Sequence, residues 1–132
     1  MLYSVLIYES EPYIESLSEE EDRRIVEGHE AFQDEARRRG QLGPVARLMS
    51  TATAVTLRPR RGGPAEVLDG PYTETKEHLV GFYVIEADSL EAAIELVRGL
   101  PLDTGCFEIR PVQWFDPGVR RFSSEERPGA LE

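Results

Sequence analysis

Between two strand-like segments the chain carries Asp69-Gly70-Pro71-Tyr72-Thr73-Glu74-Thr75-Lys76-Glu77, which holds four ionisable side chains besides its tyrosine. Asp-Gly favours a turn with positive φ, and Pro71 stiffens the exit, so turn chemistry alone explains the backbone. It does not explain Glu74, Lys76 and Glu77. Either they form a solvated charged loop, or they converge with Asp69 on a polar pocket. In the second case the chemistry is acid–base work on a small molecule, with a carboxylate orienting a proton acceptor and Lys76 steadying an anion.

The acceptor that suits this chemistry is His29. It recurs in register with Ile25, Phe32 and Ala36, so it points from a helix towards a sheet. One reading is a hydrogen-bonded core histidine. The other is a general base or ligand anchor in a cleft, where burial moves its pKa into a useful range. His78, just before a buried strand, reads as a rim residue or a second candidate. Tyr8, Tyr72 and Tyr83 can donate hydrogen bonds into a cleft, although strand aromatics usually pack. Cys106 is the single cysteine, so it has no internal disulfide partner and reads as a small apolar filler. The sequence lacks zinc-spaced Cys/His pairs, a P-loop, a dinucleotide glycine fingerprint, a His-Glu-x-x-His helix and a Gly-x-Ser-x-Gly elbow. Neither a metal nor a cofactor is expected.

These groups need a scaffold. Leu2 to Tyr8 and Val80 to Glu86 are apolar on both alternating faces, as in strands covered on each side. Ser18-Glu19-Glu20-Glu21 is a capping box that starts a helix running to about Arg39, with Arg37 to Arg39 at its negative end and Gly40 as its stop. Thr51 to Arg58 reads as a strand, Arg60 to Pro64 as a turn, and Glu66 to Leu68 as a short returning strand. Asp88-Ser89-Leu90-Glu91 caps a second helix that Gly99 and Pro101 end, and Phe107 to Trp114 is the last strand. The order predicts an α+β, ferredoxin-like sandwich: an antiparallel sheet with two helices on one face. Two helices cover one face only. The other face is therefore an association surface, and a homodimer with sheets face to face, closing into a dimeric α/β barrel, is expected. Trp114, Phe115 and Phe122 offer the alternative cover.

A chain of 132 residues suits one domain. It divides into a domain over residues 1–115 and a C-terminal arm over 116–132, rich in Pro, Gly, Ser and charge. The formal charge of −10 argues against nucleic-acid binding. No apolar run approaches the roughly 18 residues of a membrane span, and Met1-Leu2-Tyr3 enters a strand without a signal-peptide pattern, so a cytoplasmic protein without membrane partners is expected.

The nine-residue stretch resembles the signature of the DGPFAETKE proteins, a branch of the YCII-related group, with Tyr72 where the signature has Phe and Thr73 where it has Ala. The resemblance spans residues 1 to 114. It includes the Tyr3 to Tyr8 strand, His29 with Phe32, Thr51-Ala52-Thr53, Gly81-Phe82-Tyr83, Leu90-Glu91 with Glu95, and Glu108-Ile109-Arg110-Pro111-Val112. It implies a dimeric α/β barrel and a cleft holding a histidine with an acidic partner. His29 matches the histidine position. The acidic residue of the wider group falls near Asp103, a loose match, and Asp69 is the preferred substitute. The expected site is therefore catalytic His29 and Asp69 with Tyr72, Lys76 and Glu77 binding an unknown small molecule. The resemblance also implies an alternative, a non-catalytic ligand-binding or regulatory dimer linked to sigma-factor-controlled transcription.

Overall fold

Alternation along the first strand, β1 (Leu2–Glu9), arranges the layers: Tyr3 and Val5 are buried, whereas Leu2, Ser4 and Leu6 on the other side stay half-exposed. The computed structural model describes residues 1–118. After β1 come α1 (Glu11–Ser16), α2 (Glu19–Arg38), β2 (Leu42–Arg47), a 3₁₀ turn (Thr51–Thr53), β3 (Val55–Arg60), β4 (Gly63–Asp69), β5 (His78–Glu86), α3 (Leu90–Val97) and β6 (Cys106–Pro111). Four strands form one antiparallel sheet in the order β2-β5-β1-β6, while β3 and β4 pair only with each other. With α2 and α3 as the crossing helices, this order is that of a ferredoxin-like α+β sandwich.

Val5 lies opposite Tyr83 and Tyr3 opposite Ile85, so these four residues share one face. Phe32 and Ala36 of α2, Ala93 and Val97 of α3, and Leu100 cover them. The Phe32 and Tyr83 rings meet edge to face with centroids 5.3 Å apart. The capping box that starts α2 is complete: Ser18 Oγ accepts from the Glu21 N–H, and the Glu21 carboxylate accepts from the Ser18 N–H, each at 3.1 Å. Such a cap stabilises a helix by about 1 kcal/mol. Ser89 caps α3 in the same manner, through the Ala92 N–H.

The structure corrects four expectations. The edge strand beside β5 is Leu42–Arg47, not the segment beginning at Thr51. Gly43-Pro44 hid it, because proline lacks the ladder donor, yet both residues suit an edge strand with a register break between Leu42 and Val45. A side chain at Gly43 would collide with the Val84 carbonyl, 2.7 Å from an ideal Cβ. Thr51–Thr53 is a 3₁₀ turn, because the Ser50 hydroxyl accepts from the Ala52 N–H and stops the chain extending. There are three helices among the described residues rather than two. The extra one, α1, is a short turn capped by Ser10 that buries no residue. The last strand ends at Pro111, short of Trp114, which is largely exposed. Of the expected C-terminal arm, residues 119–132, including Phe122, lie outside the described part.

Candidate functional site

His29 reaches the helix-facing side of the sheet, and its partner there is Tyr83. His29 Nδ1 lies 2.8 Å from the Tyr83 hydroxyl, Gln33 Nε2 donates to the same oxygen at 3.0 Å, and the two rings stack with centroids 5.9 Å apart. Tyr83 Oη thus accepts from Gln33 and also bonds His29 Nδ1, joining two turns of α2 to one residue of β5. Burial pushes His29 below the ordinary histidine value, and the charge of Arg47 adds to this. Burial also pushes the Tyr83 phenol up. The half-buried, hydrogen-bonded imidazole holds α2 to β5.

The signature loop opens onto different ground. A cleft of about 420 Å³ lies between the start of α1 (Glu11, Pro12, Glu15), the turn at Ser50-Thr51-Ala52, the loop residues Gly70, Pro71 and Glu74, and His78 at the start of β5. The Glu11 carboxylate binds the turn, accepting from the Thr51 N–H at 3.0 Å and from the Thr51 hydroxyl. The Thr51 hydroxyl bond above all holds Glu11 below the usual carboxylate range. Burial opposes it as the next-largest effect, and the Thr51 N–H, Ser50 and the nearby His78 add to the lowering. The loop itself is fixed from beneath: the Gly70 N–H donates to the Ala54 carbonyl at 2.7 Å, and the Thr56 hydroxyl donates to the Gly70 carbonyl at 2.8 Å. The cleft therefore combines an ionised, oriented carboxylate with an imidazole, a side chain that can both donate and accept a proton.

The five expected site residues, His29, Asp69, Tyr72, Lys76 and Glu77, fall in two places. None of the five lines the cleft, which takes in their signature neighbours Gly70, Pro71 and Glu74 instead. Asp69, Tyr72, Lys76 and Glu77 are exposed on the same loop and do not line it, and among the described residues the Asp69, Lys76 and Glu77 side chains form no ion pair or hydrogen bond. His29 bonds to Tyr83, five residues along β5 from His78, which is a separation of about 16 Å in an extended strand. Within one chain His29 and the signature loop do not share the cleft. Asp103 accepts from the Tyr13 hydroxyl at 3.0 Å and so ties α1 to the loop before β6. Glu11 and Thr51 were missed because only tertiary folding joins residues 40 positions apart, although Ser10-Glu11-Pro12 after an apolar strand is a helix-start signal. Glu9 was missed too. It ends the apolar strand on its buried face, 7% exposed, and accepts from the Ser10 N–H and the Thr104 hydroxyl.

A second hollow of about 480 Å³ lies at the opposite end of the sheet, between Arg39, Gln41, Glu86 and Asp88. Gln41 Oε1 is buried there without a partner among the described residues, but neither an imidazole nor any signature residue faces it. Among the described residues no three His, Cys, Asp or Glu side chains are grouped to hold a metal ion, and no helix is long and apolar enough to cross a membrane.

A family model described as the YCII-related domain matches residues 1–116. The chain belongs to the YCII-related family. It is also 44% identical over 121 residues to an uncharacterized protein of Rhizobium meliloti (strain 1021), a match covering 89% of this chain and 97% of that relative. The match to the YCII-related domain takes in all the cleft residues, from Glu11 to His78.

The cleft of this YCII-related protein carries a pH signature. Glu11 is held low in the folded state, so its contribution to stability is fully present above the unfolded carboxylate value of about 4.3. It is lost as the pH falls through the lowered folded value. Thr51→Val removes the hydroxyl donor and leaves the backbone donor, so it is expected to narrow that pH window. After allowance for solvent screening, the cost at pH 7 is about 1 kcal/mol. Urea unfolding between pH 3 and pH 7 checks this, and an unchanged pH profile in Thr51→Val would contradict it.

Proposed function

We propose that this YCII-related protein binds a small molecule in the signature cleft and performs acid–base chemistry on it without a bound cofactor. His78 is the proton-transfer group, and ionised Glu11 orients it or the substrate. The observation that carries this reading is the meeting of signature residues Gly70, Pro71 and Glu74 with an imidazole and a hydrogen-bonded carboxylate in one cleft. Tyr72, Lys76 and Glu77 sit exposed on the rim loop, where they can close on a ligand that protrudes from the cleft. His29 and Asp69, first expected to be catalytic, take supporting roles: His29 holds the helix to the sheet, and Asp69 starts the loop opposite Val55.

A second reading is a non-catalytic ligand-binding homodimer. The half-exposed apolar sheet face supports it, since Leu2, Leu6, Phe82 and Val84 have no helix over them. A metabolite-library thermal-shift screen separates the readings when hits are followed for product by mass spectrometry. Acid–base catalysis predicts product from at least one hit, with both shift and product weakened in His78→Ala and retained in His29→Ala. Stabilisation without product from any hit would favour binding alone. Hits indifferent to His78 would remove this cleft from consideration.

A further inference from the structure

The helix α1 forms one wall of the cleft without being held by the core. Its six residues bury no side chain, and a helix so short is not stable in water on its own hydrogen bonds. The chain on either side of it is firmly fixed. Before it, the buried Glu9 carboxylate accepts from the Ser10 N–H at 2.8 Å and from the Thr104 hydroxyl at 2.7 Å. After it, the Ser18 capping box sets the start of α2. The two joints between, Ser10 and Leu17, are both extended, with ψ of 126° and 137°. Across the gap α1 is held by two side-chain latches. Glu11 accepts from the Thr51 N–H and hydroxyl, and the Tyr13 hydroxyl donates to Asp103 at 3.0 Å. The signature loop is tied down differently, through the Gly70 backbone to Ala54 and Thr56 beneath it.

We propose that α1 is a hinged wall of the cleft, swinging as a unit about Ser10 and Leu17 between a latched, narrow form and an unlatched, wider one. A swing of α1 uncovers no fully buried residue, so what resists it is the latches, and exposed or half-buried polar bonds of this kind open first in a folded protein. Each latch reaches a different element, the turn after β2 and the loop before β6, so release of one leaves α1 tethered by the other. Hinges of this type sit at element ends that absorb the backbone rotation while the flanking elements keep their places. Closure of such a wall on a bound molecule shuts water out of a proton transfer. The use of the hinge rests on the cleft being the ligand site, whereas its motion is read without any ligand.

The test uses the full chain carrying Cys106→Ala, which removes its one native thiol. Nitroxide labels are placed at Glu15→Cys on α1 and Glu74→Cys on the signature loop, both exposed positions that line the cleft. Doubly labelled protein is diluted into unlabelled protein so that only distances within one chain are read. Pulsed dipolar spectroscopy is expected to show two distances, and Tyr13→Phe to raise the ratio of the longer to the shorter by about three- to tenfold, the loss of one hydrogen bond. A reference pair at Glu20→Cys and Glu74→Cys, with its first label on α2, is expected to give a single distance with and without Tyr13→Phe. Hydrogen exchange gives a second readout. The Ile14 and Leu17 amides, bonded to the Ser10 and Ile14 carbonyls, should exchange faster than those of Phe32 and Ala36, and faster again in Tyr13→Phe while Phe32 and Ala36 are unchanged. A single Glu15–Glu74 distance unmoved by Tyr13→Phe, α1 amides as slow as Phe32 and Ala36, or equal movement of the reference pair would each overturn the hinge. Two distances that respond to Tyr13→Phe uphold it even where ligands are found to bind elsewhere, an outcome that removes the cleft reading alone.

Discussion

Replacing His78 with alanine is expected to lower kcat/KM for the substrate of this protein by about 10² to 10⁴, the usual contribution of a positioned acid–base group. The fold should survive. His78 is half-buried at the first position of β5, makes no side-chain hydrogen bond among the described residues, and its strand is anchored further along by Gly81, Tyr83 and Ile85. Glu11→Gln keeps the shape of the carboxylate without its charge, and it should reduce activity less than His78→Ala does. His29→Ala should do the opposite. It removes one of the two partners of the Tyr83 hydroxyl and the stacked ring, so it lowers stability while leaving kcat largely intact. A His78→Ala protein with native kinetics beside an inactive but folded His29→Ala protein would reverse the assignment.

The second large effect is on folding. Gly105 adopts φ +79°, and a Cβ there would run into the Tyr8 carbonyl oxygen and lie 3.1 Å from Glu9 Oε2. Tyr8 and Cys106 are paired across β1 and β6, so neither backbone can yield without disturbing that ladder. Gly62, with φ +77° and nothing within 4 Å, isolates the conformational cost. Gly62→Ala should cost about 1 kcal/mol, whereas Gly105→Ala should cost roughly 3 kcal/mol or more because a backbone clash adds to it. That difference, about 2 kcal/mol, corresponds to a fall in Tm of roughly 7 °C for a chain of this size. Equal melting temperatures for the two variants would refute the close approach at Gly105. The displaced groups would include Glu9 and Thr104, at the same end of the sheet as the cleft.

Much of this architecture is legible in the residue pattern, for identifiable reasons. The double-sided apolar alternation of β1 and β5 reports a sheet with helices on one side and a further apolar surface on the other. The Ser18 and Ser89 caps fix the helix starts to the residue. These are local signals, set by side-chain period and by hydrogen bonds three residues apart. β2 was illegible because Gly43-Pro44 carries the chemistry of a turn, and only its place at the edge of the sheet makes it acceptable as a strand. The β3–β4 hairpin was recognised as a pair of strands, but nothing in its alternation tells whether it joins the main sheet.

The candidate site divides in the same way. The signature loop announces itself through turn residues packed with charge, and its meeting with the cleft is a tertiary fact. His29 has the helical register of a residue that faces the sheet, and so it does, but the group that meets it is Tyr83, 54 positions away. Glu11 gains its role from Thr51, which lies across the fold. Sequence spacing selected residues of the right types; tertiary packing decides which of them face each other.

The central claim is that ligands enter the cleft bordered by Glu11, Thr51, Gly70, Glu74 and His78. Amide chemical-shift mapping of the full-length protein against a small-molecule fragment library tests it most directly, because it requires no knowledge of the substrate. The account predicts that the fragments that bind shift the amides of Thr51, Gly70, Glu74 and His78 together and leave Gln33 and Tyr83 in place. Fragments that gather instead around His29 and Tyr83, or in the hollow between Arg39 and Asp88, would contradict it.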